Sequence, residues 1–378
     1  MKVLRSNGKA KQLKVIRIIN YRSVIMDITK RFSVLLITAI TAVSLVSCGK
    51  TTKPEASSDS EVSSVINVKA SAWDNLNDKE KDFYKGLEEK GHTIDKDTGY
   101  VYIDAAGFQD DWGDTFGNEG IVISYYFGND EVVHVPDKID GKKVVNAATP
   151  PMWRYGDTND DYHNLDYTFN IRELYFPEDF QEIRNGFNFC ETLEKIELPK
   201  SQTEIGIAFF KQCTNLKEFT CPDSITIICK DAFRGCENLT SITFNDELKT
   251  IENEAFADCK SLEKLELPDT LESIGNSCFQ NCTALKEINI SSKINTIPKR
   301  AFFYCESLEI LNLPDSVTAI SSEAFARCNS LKEIYIPESV NEIAENAFDE
   351  CDSLTIKGKS GSYAEEYAKE NDIDFAAE

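Results

Sequence analysis

The chain has 378 residues, with 41 Lys and Arg against 64 Asp and Glu, a formal net charge of −23. So acidic a surface repels polyanions, which disfavours nucleic acids and anionic lipid surfaces as partners. Hydrophobic residues make up 41% of the chain, enough to bury a long core.

In chain order, Lys30 and Arg31 precede the apolar run from Phe32 to Val46, which is short for a membrane span and ends in Leu45-Val46-Ser47-Cys48-Gly49. Small residues directly before a cysteine make a lipoprotein cleavage box, in which the thiol of Cys48 takes a diacylglyceryl group. Residues 1–47 are therefore expected to be a leader and signal peptide, with Met26 the expected true start. The protein is expected to be exported and lipid-anchored to the outer side of a bacterial cell membrane. An ordinary secretory signal with a coincidental cysteine is the alternative. Removing residues 1–47 leaves 331 residues carrying 32 basic against 63 acidic side chains, a net of −31.

Residues 48–70, rich in Ser, Thr, Glu and Lys, read as a flexible tether. Residues 71–119 form a small N-terminal segment. Within it Asn77-Asp78-Lys79-Glu80 is a capping-box pattern, followed by Phe83, Tyr84 and Leu87 at helical spacing and by Gly91, which predicts a helix over 78–90. Tyr100 to Ile103 and Ile121 to Tyr126 read as strands.

From about residue 120 to 351 a repeat takes over. Cys190, Cys213, Cys236, Cys259, Cys282, Cys305, Cys328 and Cys351 follow one another every 23 residues. The same apolar positions return between them, as in Leu308, Leu311, Leu313, Pro314, Val317, Ile320, Ala324 and Phe325. One such unit cannot bury its own apolar face, so the coils must stack. Leu311 and Leu313 alternate with outward Asn312, which is strand period. The spacing predicts an α/β solenoid with a parallel strand per rung and turn or short-helix return segments. Roughly nine rungs about 4.8 Å apart would extend about 45 Å. An insert at 147–167 interrupts the pattern with Pro150, Pro151, Trp153 and Tyr155, and reads either as a binding loop or as a cap over the open end of the core. Asp157, Asn159 and Asp161 imitate a calcium loop, but Tyr162 and Thr168 stand where glycine and a bidentate Glu are needed, so calcium is not expected. Residues 352–378 read as a C-terminal cap: Ser362-Tyr363-Ala364-Glu365 is a second capping-box pattern, and Tyr363, Ala364, Tyr367 and Ala368 form one helical face.

The repeat Cys259-x-x-Leu262-x-x-Leu265-x-Leu267-Pro268-x-x-Leu271-x-x-Ile274 resembles that of BspA-type bacterial leucine-rich-repeat surface proteins, over roughly residues 120–378. The resemblance implies a right-handed curved leucine-rich-repeat solenoid and, for some members, adhesion to host or bacterial surface proteins. Asn245 and Ser291 replace the usual proline, departures expected to touch turns rather than the core.

One cysteine per rung at a fixed position gives parallel Cβ vectors about 4.8 Å apart, beyond the usual disulfide separation, so buried thiols are expected. No ligands are spaced for zinc, and no cofactor is implied. Outward of each strand the charges alternate down the rungs. One row reads Arg172, Glu194, Lys217, Thr240, Glu263, Lys286, Glu309 and Lys332. Beside it run Lys195, Glu218, Ser241, Lys264, Glu287, Ile310 and Glu333, so most of this face is self-paired. The pattern breaks at Ile310, with Asn312 beside it, Tyr335 next in that column, and Phe303 and Tyr304 just before Cys305. This group is a candidate binding patch, and the Trp153–Tyr155 loop is its rival. The three histidines, His92, His134 and His163, lie outside the regular array, so no nucleophile–base pair is evident and an enzyme is not expected. The leading expectation is a monomeric, non-catalytic protein-binding or adhesion module whose partner is a surface or host protein. The alternative is a carbohydrate-binding or structural cell-envelope protein.

Overall fold

The computed structural model describes residues 71–106, 119–147 and 171–378, except 129, 182, 184 and 185. Cys48, the 48–70 tether, Trp153 and Tyr155 lie outside the described residues. Helix α1, Asp78–Glu88, starts as its sequence dictates: the Asn77 side chain accepts from Glu80 N–H at 3.0 Å, and Glu80 accepts from Asn77 N–H at 2.7 Å. Its buried Tyr84 and Leu87 pack with Val101 and Phe127, and Trp73 closes the cluster edge-on to Phe127. The strand Tyr100–Asp104 lies antiparallel to Ile121–Tyr126, which in turn runs parallel to Lys142–Ala147.

Each regular coil contains two strands. A three-residue strand follows the cysteine, as in Lys264–Glu266, Glu287–Asn289 and Ile310–Asn312, and a two-residue strand comes later, as in Thr296–Ile297 and Ala319–Ile320. Both kinds pair in parallel with the next coil, Leu265 opposite Ile288 and Ile297 opposite Ile320. Side-chain alternation buries Leu265, Ile288 and Leu311 and turns their neighbours outward. The long-strand column starts with Val132–His134 against Glu173–Tyr175 and ends with Asp374–Ala377 against Thr355–Gly358.

The return segment is turns rather than helix, and its backbone has its own inter-coil ladder. The N–H groups of Arg300, Phe302 and Tyr304 donate to Ser322, Ala324 and Ala326 of the next coil, at 3.2, 2.8 and 3.0 Å. The alternate N–H groups of Ala301, Phe303 and Cys305 donate back to Pro298, Arg300 and Phe302 within 3.1–3.2 Å. Turning the first set outward puts two residues per coil in the left-handed region, here Arg300 at φ 56° and Tyr304 at φ 65°. Gly235 takes that conformation freely at φ 75°, whereas most coils place an L-residue there at a cost of about 1–2 kcal/mol. The inter-coil hydrogen bonds offset that cost.

Inside the return segment the phenylalanines form one continuous stack. Phe233, Phe256, Phe279, Phe302, Phe325 and Phe348 succeed one another with ring centroids 5.1–5.7 Å apart and interplanar angles of 4–13°. Each Phe carbonyl but that of the last, Phe348, takes the N–H of its own cysteine and also the thiol of the next coil: Phe302 O accepts from Cys305 N–H at 3.2 Å and from Cys328 Sγ at 3.2 Å. The same thiol bond recurs from Cys213 to Cys351. A small, buried, weakly donating side chain is what a second lone pair on each carbonyl requires, which gives the cysteine period a physical cause.

These thiols titrate against stability. Burial pushes Cys213 and Cys282 from 9.0 up to about 12. A group whose folded value is raised contributes stability that is complete below its unfolded value and is lost as pH climbs toward the folded one. The denaturation midpoint is therefore expected to fall between pH 9 and 12. Each pH step across that window removes up to about 1.4 kcal/mol per thiol. Thiol-reagent uptake should appear only as the protein unfolds, and Cys282→Ala should flatten the slope. A midpoint that is constant across that window would contradict the assignment.

Two expectations need correction. Asn245 and Ser291 stand at the start of turns, as expected, but both are buried against the core. Asn245 Nδ2 donates to the Ile225 carbonyl at 3.0 Å, and Ser291 Oγ to the Leu271 carbonyl at 2.8 Å. Each replaces proline with a side chain that satisfies a carbonyl of the preceding coil. At the C-terminus, helix α2, Tyr363–Glu370, has half of a capping box: Ser362 accepts from Glu365 N–H, but the Glu365 carboxylate accepts from Gly361 N–H, one residue early. Tyr367 ends the aromatic stack, tilted 61° to Phe348 at 6.0 Å, with its hydroxyl 3.0 Å from the Glu345 carbonyl. Beyond α2, Asp374–Ala377 returns to the long-strand column, so the cap is a helix followed by one more strand.

Candidate binding surface

The long strands hold three outward rows: the residue before each strand, its first residue and its third. In the first row Glu194 lies between Arg172 and Lys217, which together hold its carboxyl below the usual range. Farther along, Lys286 meets Glu263 and Lys332 meets Glu309, both at 2.9 Å. The alternation visible in the sequence thus becomes ion pairs between neighbouring coils. In the second row Lys264 lies 3.1 Å from Glu266 of its own strand and 3.6 Å from Glu287 of the next coil.

Ile310 interrupts this second row and is 53% exposed. It borders an open groove of about 760 Å³ on the same face, lined also by Lys264, Glu266, Glu287, Asn289 and Asn312. Asn289 is engaged, accepting from Leu267 N–H at 2.8 Å and donating to Leu267 O at 2.9 Å. Asn312 is exposed, and its register partner on the next strand is Tyr335. Ile310, Asn312 and Tyr335 are therefore brought together on one strand face.

Phe303 and Tyr304 belong instead to the return segment. Phe303 lies between two guanidiniums, with Arg300 at 5.3 Å and Arg327 at 5.9 Å from its centroid, and Arg327 also lies 5.8 Å from the Tyr304 ring. Both arginines are further tied to carboxylates, Arg300 to Glu323 at 2.8 Å and Arg327 to Glu350 at 2.9 Å. Here the aromatics have partners within the repeat: they pack the arginines that staple adjacent coils.

One aromatic pair was not evident from the sequence. His134 and Tyr175 stack at 4.5 Å and 12°, and Lys195 Nζ lies 5.7 Å from the centre of the Tyr175 ring. The insert hides the register between the two strands, although the alternation of Val133, His134 and Val135 was a usable signal. Among the described residues no group of three or more His, Cys, Asp or Glu could hold a metal ion, and no helix is long and apolar enough to cross a membrane.

Parallel two-strand coils with a periodic apolar core and an outward strand face define a leucine-rich-repeat solenoid. The family model for the BspA type leucine rich repeat region matches residues 164–263 and 226–355, and the chain belongs to that family. Among solved structures it is similar to a leucine rich cell surface protein from Faecalibacterium prausnitzii, at 20% identity over 73% of this chain and 97% of that one, TM-score 0.30. It is also similar to a T. pallidum leucine rich repeat protein, at 24% identity over 63% and 91%, TM-score 0.39. A leucine-rich repeat protein from Bacteroides ovatus matches at 19% identity over 76% and 99%, TM-score 0.32. No curated protein matches the chain.

Proposed function

We propose that this protein is a non-catalytic protein-binding or adhesion module displayed on a bacterial surface, and that its long-strand face around Ile310 and Asn312 receives the partner. The observation that carries this reading is the exposed isoleucine at a position where neighbouring coils carry Lys264, Glu287 and Glu333, beside an open groove. An isolated apolar residue within a charged ladder contributes nothing to the ladder and suits an interface. A carbohydrate-binding face draws less support, since Tyr175 has His134 stacked against it and Lys195 nearby.

The test is capture of surface or host proteins on the purified protein, followed by affinity measurements with variants. Ile310→Ser with Asn312→Ala should weaken binding by more than about 1 kcal/mol, while Phe303→Ala with Tyr304→Ala, and Trp153→Ala with Tyr155→Ala, should not. Loss confined to either of the latter pairs would move the site. Display on the outer side of the membrane is proposed to depend on Cys48. Cys48→Ala should abolish uptake of labelled fatty acid and partition into the membrane fraction, and persistence of both would refute the anchor.

A further inference from the structure

The charge balance of the groove specifies its partner more narrowly. Elsewhere on the strand face several carboxylates are matched, Glu194 by Arg172 and Lys217, Glu263 by Lys286, Glu309 by Lys332, and Glu333 by Lys357 at 2.8 Å, while Glu218 has no ion pair among the described residues. At the groove four carboxylates, Asp246, Glu266, Asp269 and Glu287, face the single ammonium of Lys264. That ammonium is already shared between Glu266 and Glu287. No Lys or Arg among the described residues forms an ion pair with Asp246 or Asp269, and both are exposed. The groove thus gathers four carboxylates around one ammonium, on a chain whose net charge is already −23.

The apolar contact lies at the other end. Counting by register, Lys264 pairs with Glu287, and Ile310 occupies the same position one coil further. Asp269 lies two coils and Asp246 three coils from Ile310, about 10 and 14 Å along the array, and both follow their strands rather than begin them, so the span takes about four to six residues of extended chain. Asn312, exposed beside Ile310, offers both a donor and an acceptor, the complement of an extended backbone with unpaired N–H and C=O groups.

We infer that the groove takes an extended, basic segment of a partner protein, with an apolar side chain against Ile310 and a Lys or Arg about four to six residues along, over Asp246 and Asp269. This rests on the proposed binding role of the strand face and adds the chemistry of what binds there. The attraction is between exposed charges, so it weakens as salt rises.

The probe is a library of random linear peptides displayed on phage and selected against the full protein, with the best sequence synthesised for affinity measurement. Selection is expected to enrich peptides with Lys or Arg about four to six positions from an apolar residue. Asp246→Asn with Asp269→Asn, and separately Ile310→Ser, should each weaken the synthetic peptide about tenfold, with melting curves intact because all three side chains are exposed. Winning peptides that are acidic or uncharged yet still lose affinity with Ile310→Ser would overturn the basic-segment inference and leave the strand-face reading standing. Winners indifferent to all three substitutions, or no enrichment over a surface without protein, would overturn both.

Discussion

Phe302→Ala is expected to destabilise the array by about 3–5 kcal/mol, the range for removing a fully buried aromatic ring and leaving a cavity. The ring has no exposure and lies between Phe279 at 5.5 Å and Phe325 at 5.3 Å. Its neighbours cannot collapse into the gap, because each is held by its own inter-coil backbone bonds on either side. The stack therefore loses both transfer energy and ring-on-ring contact. In a repeat array each coil contacts only its neighbours, so the loss should appear as a local opening around residues 280–325 as well as a lower midpoint. Hydrogen exchange and a urea melt would record it. A midpoint within experimental error of that of exposed Glu266→Ala would show that the aromatic column does not support the fold.

Tyr367→Ala should uncap the same column, at a cost of about 3 kcal/mol or more for a buried aromatic. Tyr367 covers Phe348, and Ala364 and Ala368 of the same helix are fully buried beneath it. Removing the ring leaves the apolar end of the solenoid in water, where terminal coils need a polar lid to stay soluble. Concentration-dependent association is therefore expected alongside the lower midpoint. Tyr367→Phe separates the contributions: it keeps the ring and loses only the hydroxyl, which is shared between the Ala344 and Glu345 carbonyls, so about 1 kcal/mol should go. Equal loss in both variants would mean that the hydroxyl, and not the lid, matters.

The solenoid was legible because its constraints repeat. Leu265, Ile288 and Leu311 recur with the cysteines, and any one of them could be predicted from the others. The two-residue strands such as Thr296–Ile297 were not legible, since two residues cannot display an alternation. The left-handed turns were hidden for a different reason: Gln212, Asp258, Tyr304 and Arg327 share one backbone conformation with no residue type in common. The thiol-to-carbonyl bonds needed coordinates, because the cysteine and its acceptor phenylalanine are separated by a coil in sequence. At the surface, the break at Ile310 was visible as a lapse in charge alternation. Asp246 and Asp269 were passed over because they follow the strand, outside the alternating rows, and only the groove joins them to Ile310. Phe303 and Tyr304 stood out for their size, yet Arg327, which faces both rings, is about a coil away in sequence and meets them only when the coils stack.

The most direct test of the strand face as the binding surface is site-specific photo-crosslinking from the intact protein exposed to intact cells. A photoreactive phenylalanine derivative would be placed in turn at Asn312, at Phe303 and at Trp153. Asn312 borders the groove and is exposed, so a probe there keeps the fold and reaches whatever docks beside Ile310. The expected result is a discrete protein adduct from position 312 that Ile310→Ser diminishes. Adducts from position 303 or 153 with none from 312 would contradict it.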